Sequence, residues 1–366
     1  MDAFDQTVNN ISRRTLLRGA SGATALALVP PVVVSFDAKA AEAVQLTLPW
    51  IPEGEVAFMY AAEKEGFWSK RGLDVTITRG FGSGEAAKNV GLGRYGYGQA
   101  DIGAMINAIG AGLPLISIAM VSQRSPVCIV ASKSSGITKP KDLEGKRLGG
   151  APAGATNNLW PAFARINNID VSKVRMVSLQ PGVDIQALIN NDVDAVATLY
   201  QSSAPYLWAD KVPFETIFFA KYGMDIFSLT FVTQPGTIQK SPKQVAAFVE
   251  GAMEGLRFSY VNPDKTLEDF IAAVPESGKT ERDRGITRHS LLINTASGLT
   301  EDAKTNGLGW HDPKKLEETL RTVNTFLKLP TPPPVLSIYT NQFVGNVKLT
   351  DDEWRKAQET AKEYLF

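Results

Sequence analysis

The chain has 366 residues, and its 38 basic side chains are balanced by 38 acidic ones. This neutral balance offers no electrostatic attraction for nucleic acid, and a single cysteine excludes a disulfide within the chain. Beyond residue 40 the balance stays near neutral, at 34 basic against 35 acidic residues. The roughly 325 residues beyond residue 40 are more than a single hydrophobic core usually contains, so two domains are expected.

The N-terminal segment is typical of an export signal. Arg13 and Arg14 are followed by a modestly apolar stretch over 19–36 and then by the small-x-small pattern at 38–40. This order predicts a twin-arginine signal peptide over residues 1–40, recognised by the twin-arginine translocase and cleaved near Ala41. A membrane anchor is disfavoured because the apolar run contains two prolines and is shorter than the roughly 20 residues of a spanning helix. We expect a free periplasmic protein, because no cysteine stands at the cleavage point to carry a lipid.

Strands and helices alternate through the next part of the chain, which predicts a mainly parallel sheet covered by helices on both faces. Apolar, partly β-branched runs bounded by Gly and Pro predict strands at 45–50, 73–78, 101–105, 115–121 and 126–132. Helices are predicted at 55–70 and from Ser83, which is the expected cap of its helix.

The alternation of strands and helices resumes after the turn-rich segment 133–145. Strands are predicted at 147–150, 174–179 and 193–199, and helices at 159–166 and 183–190. A further strand at 227–233 is expected to pair antiparallel with 126–132 and to form a two-stranded hinge. The prediction is therefore an α/β protein of two lobes, each a mainly parallel sheet flanked by helices.

The C-terminal third is predicted to be mostly helical, with a stiff interruption at 330–334. A helix is expected to begin at Ser241-Pro242, because a cap, a proline at the first helical position and Gln244 form a start signal. The predicted domains are 1–40 as signal, 41–132 with 234–366 as the first lobe, and 133–233 as the second.

Three patterns that look chemical are better explained otherwise. The glycine pattern at 91–96 matches a dinucleotide fingerprint by letters, but a helix precedes it and a strand follows, the reverse of the required order. Gly278-Lys279-Thr280 lacks the glycine five positions earlier that a phosphate loop needs. His289 and His311 are not at metal-ligand spacing, so we expect no metal, no cofactor and no catalytic residues.

Several ordered segments resemble one known family, the periplasmic binding proteins for nitrate, sulfonates, taurine and thiamine-pyrimidine precursors, close to the pyrimidine-precursor-synthase-like branch. The matching segments are 50–52, 61–68, 72–75, 82–84, 100–103, 123–126, 140–146, 193–195 and 339–343. The resemblance covers most of residues 45–235. It implies two α/β lobes, a two-stranded hinge and a ligand enclosed between the lobes.

In such folds the ligand lies beyond the carboxyl ends of strands, where helix N-termini present N–H groups. Gly82-Ser83-Gly84 is the expected point in the first lobe and Gly154-Ala155-Thr156 its counterpart in the second. Trp50 and Phe58 are candidate apolar walls, although core positions fit them equally, and Met105 is an adaptable one. The remaining candidate ligand contacts are polar: Asn107, Tyr200 and Arg124, the last of which alternatively braces the hinge.

The function that the resemblance implies is solute capture for an ABC importer, by a monomer whose partners are a small-molecule ligand and the permease subunits. An exported enzyme related to the thiamine-pyrimidine synthases, and a ligand-sensing receptor of the same fold, remain alternatives. One departure counts against a pyrimidine phosphate ligand: Val56 stands where the pyrimidine binders have a histidine. A second separates the chain from the related fungal synthases, which carry a cysteine cluster that this one-cysteine chain lacks. We expect an aromatic or heteroaromatic acid, either a carboxylate or a sulfonate, rather than nitrate.

Overall fold

A computed structural model describes residues 41–327, 329 and 333–364. The predicted signal peptide at 1–40, and most of the predicted proline interruption at 330–334, lie outside the described residues.

Ten strands form the two sheets of the described chain. Their bounds are β1 Glu42–Thr47, β2 Leu73–Thr78, β3 Tyr97–Asp101, β4 Ile116–Met120, β5 Val127–Ser132, β6 Arg147–Gly150, β7 Arg175–Ser178, β8 Ala195–Leu199, β9 Phe214–Phe218 and β10 Leu229–Thr233.

Helices cover the sheets and make up most of the C-terminal third. Their bounds are α1 Ala57–Lys64, α2 Ser83–Gly91, α3 Ile102–Gly110, α4 Ala155–Ile166, α5 Asp184–Ile189, α6 Ala204–Ala209, α7 Pro235–Lys240, α8 Pro242–Val261, α9 Pro263–Ala273, α10 Glu281–Gly298, α11 Glu301–Asn306, α12 Pro313–Leu327 and α13 Asp351–Ala361.

The two sheets share one plan. The first has the strand order β2-β1-β3-β10-β4 and the second β7-β6-β8-β5-β9. In each sheet the first three strands are parallel, and the fourth runs antiparallel to both of its neighbours. The predicted α/β class with two similar lobes is confirmed.

The predicted strand pairing at the hinge is wrong. Strand β5 pairs with β8 and β9 in the second sheet, whereas β10 pairs with β3 and β4 in the first. The sheets therefore divide the chain before β5 and before β10, and not at 132/133 and 233/234 as the predicted domains do. An apolar β-branched run shows that a strand forms, but not which neighbour receives its hydrogen bonds.

Two chain crossings connect the lobes, over residues 121–126 and 219–228. They meet where the second crossing enters β10: the amides of Val121 and Ser122 both donate to the carbonyl of Leu229, the first residue of β10, at 2.8 and 3.0 Å. The amide of Ser228 donates back to the Ser122 carbonyl at 3.3 Å. The hinge thus consists of two paired crossings, although it is built from connecting segments and not from β5 and β10.

The predicted strand over 101–105 is in fact the start of α3. The Asp101 side chain accepts hydrogen bonds from the amides of Gly103 and Ala104, which caps the helix. Both strand β3 and the first turns of α3 are buried, so the apolar run is continuous across the boundary. A short apolar run alone does not distinguish a strand from a buried helix.

Helix α8 closes the outer side of the first sheet. Its predicted apolar stripe is buried as expected, at Val245, Phe248, Val249, Ala252 and Leu256. The Trp68 indole stacks on the Phe248 ring and donates to the Phe248 carbonyl at 2.9 Å. A Cβ at Gly251 would lie 2.2 Å from the Trp68 ring, so this close packing needs glycine there. Within the described residues no helix combines the length and apolarity needed to cross a bilayer.

Candidate interlobe binding site

The candidate site is a cleft between the carboxyl ends of the strands of both sheets. Its walls enclose about 530 Å³ of empty space, including the part open to solvent. The lining residues follow β1 and β2 in the first lobe and β6, β7 and β8 in the second: Pro49, Trp50, Glu55, Ser83, Ala151, Gly154, Ala155, Thr156, Gln180, Asp184, Ala197, Thr198, Leu199 and Ser202. This is where open α/β sheets bind ligands.

The start of helix α2 is a contact between the lobes. The Gly84 amide donates to the carbonyl of Ala153, in the second lobe, at 3.0 Å. Gly82 has φ +134°, and a Cβ there would lie 2.4 Å from the same carbonyl oxygen. Glycine at 82 is therefore required both by the backbone and by the approach of the other lobe.

The start of helix α4 is open to the cleft. Gly154 precedes the helix in an extended conformation, and no side chain caps the helix. Among the described residues the amides of Ala155 and Thr156 make no backbone hydrogen bond, as is usual in a first helical turn. The Thr156 hydroxyl is already engaged, since it donates to the Thr198 carbonyl at 2.6 Å. What α4 offers a ligand is therefore N–H groups and partial positive charge.

Carboxyl groups from both lobes meet at the other end of the cleft. Glu55 accepts from Ser290 of α10 at 3.0 Å and from Ser202 of the second lobe at 3.4 Å. Glu53 accepts from the Tyr206 hydroxyl, also of the second lobe, at 3.1 Å. Asp184, at the start of α5, lines the same cleft. We call Glu55 and Asp184, together with Glu53 in the adjoining cavity, the acidic end of the cleft.

Burial disfavours negative charge at the acidic end. It raises the pKa of Glu55 to about 7 and the pKa of Asp184 to about 6. Burial together with the Glu55 and Asp184 carboxyls raises the pKa of Glu53 well above its usual range. Near neutral pH Glu53 is thus favoured in its protonated form, Glu55 is divided between its two forms, and Asp184 is mostly ionised.

A glycine positions Glu55. A Cβ at Gly54 would lie 2.0 Å from the carbonyl oxygen of Thr287 in α10, so only glycine lets this loop rest on that helix. The close approach lets the Glu55 amide donate a hydrogen bond to the Ser290 hydroxyl oxygen at 3.0 Å.

A second polar network, away from the cleft, has the outline of a hydrolase triad. His311 Nε2 lies 2.5 Å from Ser117 Oγ, and His311 Nδ1 lies 2.8 Å from Asn341 Oδ1. Ser117 and His311 have no exposed surface, and burial lowers the pKa of His311 to about 4. Because of this burial, no substrate can reach Ser117. The role of the network is instead structural: it links the C-terminal segment to strand β4.

Some of the predicted ligand contacts come together at the cleft. Trp50, Ser83, Gly154, Ala155 and Thr156 all line it. Gly84 lies directly behind Ser83 and makes the interlobe hydrogen bond to Ala153.

The other predicted contacts lie elsewhere. Phe58 and Met105 are completely buried, Phe58 edge-on to Phe231 in the core of the first lobe. Asn107 is exposed on α3. Arg124 lies in the first crossing and donates to the Ala296 carbonyl at 2.8 Å. This contact fits the alternative prediction that Arg124 braces the hinge. The Tyr200 ring packs against those of Phe218 and Trp208 in the second lobe.

The acidic end was missed by sequence reasoning. Glu53 and Glu55 follow the Trp-x-Pro segment directly, and Asp184 starts a predicted helix. Acidic residues in such places are normally solvated, so nothing local marks them as buried. The signal that was available is the position of the two glutamates immediately after the first strand, at its carboxyl end.

Two α/β lobes, two paired crossings and a cleft between strand ends define the class of two-lobed periplasmic binding proteins. Within that class the chain belongs to the NMT1/THI5-like family, whose model matches residues 53–266.

Individual relatives are distant. The chain is 23% identical to the riboflavin-binding protein RibY of Chloroflexus aurantiacus over 82% of this chain and 86% of that protein. It is 25% identical to a 4-amino-5-hydroxymethyl-2-methylpyrimidine phosphate synthase of Legionella pneumophila, over 64% of this chain and 74% of that one. The alkanesulfonate-binding protein SsuA of Xanthomonas axonopodis, solved with MOPS, has the same fold with TM-score 0.63 at 14% identity, covering 82% of this chain and 100% of SsuA.

Proposed function

We propose that this protein is the substrate-binding component of an ABC importer, which captures a small organic solute between its lobes. The observation that carries the proposal is the cleft itself, to which five strands of two separate sheets contribute their carboxyl ends. Two connections that hydrogen-bond to each other are suited to rotate one lobe against the other, as in hinge closure around a ligand.

Partners and location follow from this role. We propose export through the twin-arginine pathway by residues 1–40, function as a monomer in the periplasm, and recognition of the closed form by the permease subunits. Relatives and structural neighbours that are named as binding proteins support the role. The structure describes none of residues 1–40, so the export route rests on the sequence pattern alone.

We propose binding without catalysis. One relative is named as a synthase, which keeps an enzyme as the alternative. Against it, Val56 stands where the resembling pyrimidine binders have a histidine, and its side chain is completely buried. Position 56 of this chain therefore presents no reactive group to the cleft.

Small-angle scattering on residues 41–366 with a broad metabolite library tests the proposal. We expect at least one solute to reduce the radius of gyration, because closure needs a ligand that binds the closed form better. An Ala197→Phe variant, which fills the cleft from β8, should abolish the change, whereas Ala272→Phe on the exposed side of α9 should not.

The enzyme alternative makes a different prediction in the same samples. Turnover of a bound compound, detected by mass spectrometry and lost in the Ala197→Phe variant, would favour it. A library in which no compound alters the scattering would contradict the binding role.

A further inference from the structure

A second cavity lies at the hinge, and we call it the hinge cavity. It encloses about 830 Å³, including the part that opens to solvent. Its walls include residues 123–125 of the first crossing, residues 220 and 221 of the second, and Phe218 at the end of β9 in the second lobe. Helices α11 and α12 complete it, and it shares no lining residue with the interlobe cleft. Because both crossings contribute to its walls, rotation of the lobes changes its shape.

Most of the charge on these walls is positive. Arg124, Lys221 and Lys315 line the cavity, against Asp225 and Asp302. Lys315 pairs with Asp225 at 3.2 Å, so these two charges offset each other. Asp302 is exposed in the first turn of α11, where water and the helix dipole both favour its negative charge. The positive charge that is left on the walls comes from the other two cations.

Arg124 and Lys221 keep donors that a ligand can use. Arg124 donates through Nη1 to the Ala296 carbonyl at 2.8 Å, and no acceptor among the described residues bonds its Nε or Nη2. The Lys221 ammonium lies 5.0 Å from the centre of the Phe218 ring. Within the described part of the chain neither cation forms an ion pair with a carboxylate. The two crossings thus each contribute one cation with available N–H groups.

The wall of the hinge cavity also contains an unmatched hydroxyl. Ser125 lines the cavity and is only 2% exposed, yet its Oγ has no hydrogen-bond partner among the described residues. Buried hydroxyls are normally bonded, so this one marks a place where a partner is expected. Ser125 follows Arg124 on the first crossing, so the hydroxyl and the guanidinium belong to the same short segment.

A neighbouring cavity that Arg124 also borders is less suited to an anion. Its other cations are Arg355 and Lys362. Arg355 pairs with Asp352, and Lys362 pairs with Glu359 at 2.5 Å. Their charges are therefore already offset by carboxylates, whereas the hinge cavity combines Arg124 with a second cation that has no such partner.

From this arrangement we infer that the hinge cavity binds a small oxyanion of the phosphate type, held by Arg124 and Ser125 on the first crossing and by Lys221 on the second. Guanidinium and ammonium groups both form strong charge-assisted hydrogen bonds with phosphate oxygens. An anion joined to both crossings restrains their movement past each other. Because the walls meet in this way while the lobes are in contact, the anion favours the closed arrangement. This coupling rests on the proposed binding function, but the anion site does not.

A phosphorus NMR titration of residues 41–366 tests the site with two probes, inorganic phosphate and glycerol phosphate. The ionic strength is kept low, because salt screens exposed charges. We expect both probes to bind with dissociation constants of about 1 mM or below. Tighter binding of the ester would identify an organic phosphate as the source of the anion, and equal binding would identify free phosphate. Absence of binding for both at about 10 mM would overturn the inference.

Variants assign the binding to the hinge cavity. Lys221→Glu should weaken phosphate binding by about tenfold or more, because it replaces an attraction by a repulsion. Lys240→Glu is the matched control, since it makes the same change of net charge at the exposed end of α7, outside the cavity. Arg124→Gln removes the charge and keeps an amide that can donate to the Ala296 carbonyl, and it should weaken binding about fivefold. Equal losses in the two lysine variants would overturn the inference, because net charge would then explain the binding.

A third variant separates the hinge cavity from the interlobe cleft. Ala197→Phe fills the cleft from β8 and should leave phosphate binding unchanged, because Ala197 is not among the residues that line the hinge cavity. Loss of phosphate binding in this variant would place the anion at the open amides of α4 and would overturn the inference.

The coupling is measured with a solute that compacts the protein in scattering. Saturating phosphate should tighten the binding of this solute about fivefold, and the solute should tighten phosphate binding by the same factor. Solute affinity that does not respond to phosphate would overturn the coupling.

Failure of the anion site and failure of the proposed function give different results. If phosphate binds in a manner that depends on Lys221 while no solute compacts the protein, the site is correct and the proposed function is wrong. If a solute compacts the protein while neither phosphate probe binds, the proposed function is correct and the anion site is wrong.

Discussion

The two helix starts that face each other across the cleft have the same kind of sequence but different roles. At α2, glycines 82 and 84 let the backbone of the second lobe approach, and the Gly84 amide bonds Ala153. At α4, Gly154 is followed by amides that remain open to the cleft. A glycine-rich helix start is thus equally suited to holding lobes together and to holding a ligand.

The largest expected effect breaks the contact at α2. Gly82→Ala places a methyl group 2.4 Å from the Ala153 oxygen only when the lobes are together. Such overpacking costs about 1–3 kcal/mol, so we expect roughly 5- to 150-fold weaker binding of the solute that compacts the protein in scattering.

Gly112→Ala is the matched control for that substitution. Gly112 also has a positive φ, of 91°, but nothing lies within 4 Å of the position of its Cβ. Both variants should lose thermal stability, and only Gly82→Ala should lose affinity. Equal affinity losses in the two would show that strain in the backbone, and not the contact between lobes, is responsible.

A pH series tests whether the acidic end destabilises the folded protein as its carboxyls ionise. Because burial raises the pKa of Glu55 to about 7, the folded chain binds more protons than the unfolded chain between about pH 4.5 and 7. Stability contributed by this group is present below that window and is lost as the pH rises through it, by about 1–3 kcal/mol. Glu53 and Asp184 share the site and act in the same direction.

The measurement is the difference in unfolding free energy between Glu55→Gln and the parent at each pH. We expect the variant to gain relative to the parent as the pH rises from about 4.5 to 7. His311, whose pKa is lowered to about 4, acts in the opposite direction in both proteins and cancels in the difference. Glu63→Gln, on the exposed side of α1, should show no such trend, and a flat difference for Glu55→Gln would contradict the prediction.

The smallest expected effect concerns the start of α4. Ala155→Pro removes one amide hydrogen at the first helical position, where proline is tolerated, and Gly154 already has the extended backbone that precedes proline. We expect about fivefold weaker solute binding, because one lost hydrogen bond costs about 1 kcal/mol, and little change in melting temperature. Asp351→Pro, at the first position of α13, is the control, and unchanged affinity in Ala155→Pro would exclude a role for this amide.

Local patterns predicted eight of the ten strands, because most of them are short apolar runs between turns; β3 was misplaced into the start of α3, and β9 was not predicted. The α3 start was missed although Asp101 is a good cap, because the apolar run continues from strand into helix. Pairing of β5 and β10 was missed because hydrogen-bond partners across about a hundred residues are set by packing and not by propensity.

The binding site was also predicted only in part. Trp50, Ser83 and the 154–156 segment follow from the rule that ligands lie at strand ends. Glu55 and Asp184 share one site only because the two lobes bring distant parts of the chain together. No local sequence pattern indicates that contact.

The exchange of strands between the two halves of the chain sets an order of folding. The second sheet is complete once residue 218 is available, since β5 to β9 are consecutive in sequence. The first sheet waits for β10, which inserts between β3 and β4 only after the chain has returned from the other lobe. We therefore expect the second lobe to be able to complete its sheet first, and a chain truncated before residue 229 would leave β3 and β4 without the strand that lies between them, as aggregation-prone edges.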